Sequence, residues 1–266
     1  MTTTRQGRFP VLPTLITLGS LFCGFGAIIL ATMPKTGVNQ LVRIEFAAWL
    51  ILAAMVFDAL DGRVARMSGQ TSEFGAHLDS LCDGISFGVA PAALAMSVLS
   101  EFYQRWPARL IWVACIVYLV CAILRLARFN VTTQPEDEHH RSFVGLPSPP
   151  AAGMIASFVI LHVNLLHEYD FRWVAPVVLP LLLLGVGLLM VSKVRYVHLI
   201  HTLTRGERSF PFLLGLVFMI FLVAVLREFI LPIIFTTYLL SGLIGFAIDR
   251  VLDRIDLAQN RDSFFR

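Results

Sequence analysis

The chain has 266 residues, of which 57% are hydrophobic and only 15% charged, with a mean hydropathy of +0.75. That balance excludes a soluble domain of this size and points to a polytopic membrane protein. The net charge of +3 is too mild to argue for a nucleic-acid partner and bears instead on which loops face the cytoplasm.

The N-terminal ten residues lead into an apolar run from Val11 to Met33, long enough to span and with no small-residue cleavage site before polar sequence resumes. It reads as a retained helix, not a signal peptide. Further apolar runs, bounded by charged or Pro/Gly-rich breaks, predict spans near 45–67, 76–100, 108–128, 148–167, 173–192, 211–232 and 234–249. The expectation is an all-α transmembrane bundle of about eight spans, a six-span core plus two, in one membrane domain over 1–266. Placing both termini in the cytoplasm puts 15 of the 21 Lys and Arg residues on the inner side and five outside, with Arg227 in a span. Because Arg227, Glu228 and Pro232 interrupt the last apolar run, six spans with a re-entrant or broken tail is the alternative. Cys23, Cys82, Cys115 and Cys121 fall in apolar stretches without metal-like spacing and read as packing residues.

The second and third spans carry Asp58, Asp61, Asp79 and Asp83. A carboxylate at the centre of a membrane helix costs about 2.5–3.5 kcal/mol on insertion scales, so four in one short stretch require a cation. Asp58 and Asp61 lie three apart and Asp79 and Asp83 four apart, so each pair shares a helix face. Turn-forming residues at Gly69–Ser72 let the two helices fold back as a hairpin and bring the pairs together. Four carboxylates suit hard cations, Mg²⁺ or Mn²⁺, and two ions balance their charge better than one. Gly62 permits a bulky anionic group to approach the backbone, and Arg66 can pair with a phosphate. A cation or proton pathway through a transporter is the competing reading, but it predicts carboxylates spread over distant helices.

The spacing Asp58-x2-Asp61-Gly62-x2-Ala65-Arg66-x8-Gly75-x3-Asp79-x3-Asp83 resembles the complete signature of the CDP-alcohol phosphatidyltransferase family. The resemblance implies a core over 11–192, with 193–266 as a C-terminal extension of about two spans. It implies transfer of a phosphatidyl group from CDP-diacylglycerol to an alcohol with release of CMP, assisted by metal held by the four aspartates. Asp83 would be the base that takes the proton of the attacking hydroxyl, and Gly62, Arg66, Ser72 and Gly75 would contact the CDP-lipid. A homodimer embedded among membrane lipids, with its active site facing the cytoplasm, is also implied.

Three segments bear on the acceptor: Asp83–Ala92, Leu124–Asn130 and Phe143–Pro149 resemble blocks of the family's serine-using branch. They imply L-serine as acceptor, with Ser86, Arg125, Arg128 and Asn130 as contacts to serine or to a lipid phosphate. Fixed cations at the inner end of the fourth span suit a carboxylate. The same transfer to glycerol 3-phosphate or an inositol phosphate is the alternative. Pro13–Gly24 is similar to the family's first span, except that asparagine is more usual at Thr14 and Ser20; Thr17 fits the pattern and is assigned to the CDP-lipid. Met190–Tyr196 reads as a topology-setting basic end and Glu136–His140 as a solvated loop, while His77, His162 and His167 are given no catalytic role.

Overall fold

The computed structural model describes residues 11–34, 40–68, 73–102, 107–132, 143–168, 174–196 and 227–264. The elements are α1 (Val11–Thr32), α2 (Gln40–Ser68), α3 (Glu73–Asp83), a π-helical turn (Gly84–Val89), α4 (Ala90–Leu99), a short 3₁₀ turn (Ser100–Phe102), α5 (Ala108–Thr132), α6 (Ser148–Glu168), α7 (Ala175–Val191) and α8 (Arg227–Phe264). α3, the π turn and α4 run on as one span, Phe74–Leu99. Among the described residues, six helical stretches are long and apolar enough to cross a bilayer, and the shorter apolar helix α7 adds to them. Of the expected spans, 211–232 lies mainly outside the described residues. The break expected around Pro232 is absent: α8 begins at Arg227, continues through Pro232 and carries the last span. A proline removes only one helical hydrogen bond, and membrane helices tolerate this.

Between helices in lipid the hydrophobic effect gives little attraction, so close packing of small residues must hold the bundle. α1 and α2 share the largest interface, and their buried side chains are mostly small: Ala27, Ala31, Ala47, Ala48 and Ala54. Gly24 faces the π turn so closely that a Cβ there would lie 2.6 Å from the Cα of Ser86. Gly84 and Gly88, one turn apart, likewise admit α5, with Ile123 and Leu119 at 3.4 and 3.2 Å from where their Cβ atoms would be. The exposed Leu, Ile, Val and Phe side chains of α1, α5 and α8 are those expected to meet lipid acyl chains.

A short strand pair, β1 (Phe143–Val144) with β2 (Arg195–Tyr196), is antiparallel, Phe143 opposite Tyr196. It ties the start of α6 to the end of α7. Gly145 donates to the Val194 carbonyl at 2.8 Å and Leu146 to that of Leu189 at 3.1 Å. Gly145 has φ +99°, and a Cβ there would strike the Met190 carbonyl oxygen at 2.3 Å, so the position requires glycine on both counts. The segment Met190–Tyr196, expected only to set topology, is therefore also a structural clasp. His162, given no catalytic role, is buried and stacks on Phe158 at 6.4 Å.

Candidate active site

α1 packs against both α2 and α3, whereas α2 and α3 touch each other little. The gap between them is where the carboxylates meet. One carboxylate oxygen from each of Asp58, Asp61 and Asp79 lies within 4.8 Å of the other two, and Asp83 stands within hydrogen-bonding reach of Asp58. The three- and four-residue spacings thus place four carboxylates in one pocket, as the shared faces require. The connecting residues 69–72, Ser72 included, lie outside the described residues.

Asp61 is the most enclosed of the four, 6% exposed, and its Oδ2 is buried with no hydrogen-bond partner. The same carboxylate is approached by the Gly62 amide and by the hydroxyl of buried Thr17, which also lies 3.1 Å from the Pro13 carbonyl. An unpartnered carboxylate oxygen at the meeting point of three acidic side chains is suited to bind a cation. Arg125 is set electrostatically against Asp83 and Asp58. The donor set, all oxygen and strongly anionic, fits Mg²⁺ or Mn²⁺.

Other expected site residues divide clearly. Gly62 is exposed, and nothing lies within 4 Å of a Cβ added there, so a ligand can approach that backbone. Gly75 lies in the first turn of α3, and Arg66 is in α2, although its side chain is not among those described. Asn130 at the end of α5 accepts a hydrogen bond from Ser80 at 2.9 Å, bridging to the helix that carries Asp79 and Asp83. Arg128 is exposed on α5. Ser86 is fully buried, and its hydroxyl donates to the Ser20 carbonyl at 3.1 Å, tying the π turn to α1. The Ser20 hydroxyl is itself buried without a partner.

Sequence reasoning missed Ser148, which accepts a 2.7 Å hydrogen bond from Arg125 across 23 residues of chain. It also missed Tyr118, fully buried on α5, whose hydroxyl donates to the Phe87 carbonyl at 2.8 Å and so satisfies a backbone group of the π turn. Ser148 lies in one of the blocks already singled out, but only the fold shows what its hydroxyl holds. The π turn directly follows Asp83, a placement such turns favour at functional sites.

Fold and site together define an integral membrane helix bundle built around an oxygen-rich pocket for divalent cations. The profile of the CDP-alcohol phosphatidyltransferases matches residues 10–191, and the chain belongs to that family. It is 36% identical over 185 residues to the CDP-diacylglycerol–serine O-phosphatidyltransferase of Helicobacter pylori, covering 69% of this chain and 70% of that protein. The enzyme of the same name from Mycobacterium tuberculosis is 36% identical over 198 residues, 71% of this chain and 62% of its own length. The archaetidylserine synthase of Methanothermobacter thermautotrophicus is 35% identical over 191 residues, 71% of this chain and 70% of that protein.

Proposed function

We propose that the protein transfers the phosphatidyl group of CDP-diacylglycerol to the hydroxyl of L-serine, giving phosphatidylserine and CMP. The observation that carries this is the convergence of Asp58, Asp61, Asp79 and Asp83 beside Arg125, in a chain whose relatives carry serine-transferring names. Bound divalent ions, two for four carboxylates, would offset the charge of the diphosphate and of the departing CMP. Asp58, Asp61, Asp79 and Asp83 would hold them.

The remaining chemistry belongs to the chain's own side chains. The Asp83 carboxylate accepts the proton of the serine hydroxyl as its oxygen attacks the phosphorus bearing the diacylglycerol, and the bond from that phosphorus to the CMP oxygen breaks in line. Open backbone at Gly62, together with Arg66, Ser72 and Gly75, receives the diphosphate and nucleotide, while Thr17 steadies Asp61. Arg125, Arg128 and Asn130 orient the acceptor, a guanidinium being matched to a carboxylate. The pocket faces the cytoplasm, where serine and CMP exchange, because the basic residues gather at that end of the spans. The functional unit is a homodimer. Phosphorylated polyols would require more cations than these residues supply.

The test supplies membranes holding the protein with CDP-diacylglycerol, Mg²⁺ or Mn²⁺, and a panel of alcohols. CMP release that depends on L-serine is expected. Release only with glycerol 3-phosphate or an inositol phosphate would refute the acceptor, and no release with any alcohol would refute the reaction.

A further inference from the structure

At the end of the bundle away from the carboxylates, α1 and α5 both pack on α4 and on the π turn but make little contact with each other. Between them lies a cavity of about 580 Å³. Its floor is the Ala92, Ala93 and Met96 face of α4, its walls include Leu30 of α1 and Ile116 of α5, and Arg43 of α2 stands in its lining. Ile116 is exposed, so the cavity opens sideways onto the acyl chains of the bilayer. Arg43 and Asp58 lie 15 residues apart on one helix, a rise of about 22 Å. The cavity is therefore separate from the carboxylate pocket and sits toward the opposite face of the membrane.

Among the described residues, Arg43 is the one charged side chain in this lining. Its guanidinium donates to a neutral acceptor, the Met33 carbonyl at 3.2 Å, and its Nε is buried without a partner. Two hydroxyls of the lining, those of Thr32 and Ser100, are committed to the carbonyls of Ile28 and Ser97 at 2.7 Å each and bring no negative charge. A cation in the first turn of a membrane span is thus left with its charge unmatched. We propose that the cavity binds an anionic phospholipid of the leaflet opposite the active site, with its phosphate on Arg43 and one acyl chain in the apolar space below. A guanidinium pairs with phosphate through short, charge-assisted hydrogen bonds. The volume falls within the range of about 300–1,000 Å³ typical of ligand pockets. An acyl chain enters a cavity that already opens onto hydrocarbon, so the anionic head group, matched to Arg43, decides which lipid is held. Bound there, the lipid joins α1, α2, α4 and α5 at the end of the bundle where α1 and α5 do not brace each other. The site stands whether or not the acceptor of the proposed reaction is serine.

The experiment titrates the full-length protein in neutral detergent with phosphatidylglycerol or phosphatidylcholine of the same chains, and counts retained lipid by native mass spectrometry. One phosphatidylglycerol per chain is expected to be held in preference to phosphatidylcholine. Arg43→Gln should weaken phosphatidylglycerol retention at least tenfold, the scale of one hydrogen bond between charged groups, and leave phosphatidylcholine unchanged. Arg43→Lys keeps the charge and should keep the preference, which separates loss of charge from damage to the fold. Ala93→Phe, which fills the floor of the cavity, should lower phosphatidylglycerol retention while Arg43 remains. Equal retention of the two lipids by the unsubstituted protein, or of phosphatidylglycerol by Arg43→Gln and the unsubstituted protein, would overturn the proposal. Retention lost in Ala93→Phe but indifferent to Arg43→Gln would also overturn it, leaving the cavity to an acyl chain alone, that of CDP-diacylglycerol included.

Discussion

Two polar regions sit close together in this bundle and treat their polar atoms in opposite ways. At the seam between α1 and the π turn, Ser86 and Tyr118 give their hydroxyl protons to backbone carbonyls, and Gly24 brings the backbones into contact. In the pocket a few residues away, Asp61 keeps a buried oxygen without a partner and Gly62 faces open space. A membrane interior penalises unsatisfied polar groups, so the seam is what structure alone produces. The pocket is intelligible only with a ligand. Polar residue type therefore does not separate scaffold from site in this protein; an unpartnered carboxylate oxygen marks the pocket, whereas the seam leaves only the neutral Ser20 hydroxyl without a partner.

Substitutions can break that contrast. The largest effect is expected from Asp83→Asn, which removes the proposed base and should lower kcat by about 10²–10⁴-fold while CDP-lipid binding is largely retained; near-normal CMP release would remove Asp83 from its role. Arg128→Ala should raise the serine KM on the order of 10- to 100-fold, as for a lost charge-assisted hydrogen bond. A larger rise in the CDP-lipid KM would reassign Arg128 to the lipid phosphate. On the seam, Gly24→Ala drives a Cβ into Ser86 and should cost about 1–3 kcal/mol, read as a lower Tm in detergent. An unchanged Tm would mean that the seam is looser than its geometry. Gly62→Ala should do the reverse. Alanine stabilises a helix relative to glycine by about 0.5–1 kcal/mol, so the Tm should hold or rise. The CDP-lipid KM should rise roughly tenfold, as for one methyl group too many in a fitted pocket. Unaltered lipid kinetics would show that no ligand approaches there.

What could be read from the chain follows the same division. The carboxylates were legible because charge within apolar sequence is costly and their spacings fix a shared face, and the pocket at Asp58, Asp61 and Asp79 follows from those two facts. Spans were legible from length and hydropathy, but the extent of α8 was not, since Pro232 reads as a break, whereas the helix continues through it. Arg125 was found as a fixed cation. Its anchor Ser148 was not, because the contact joins two helices through side chains that no local periodicity relates. The hydrogen bond of Ser86 was hidden for the complementary reason. A serine beside Asp83 reads as a substrate contact, and only the close approach of Gly24 reveals that its hydroxyl is already committed to α1.

The central claim is that the unspent carboxylates form one divalent-cation pocket, and the most direct test counts Mn²⁺ bound to the full-length protein by electron paramagnetic resonance, beside Asp61→Asn. Saturable binding of two ions per chain, with at least one lost in Asp61→Asn, is the result predicted for a shared two-metal cage. Binding that does not saturate, or that is the same in Asp61→Asn, would contradict it.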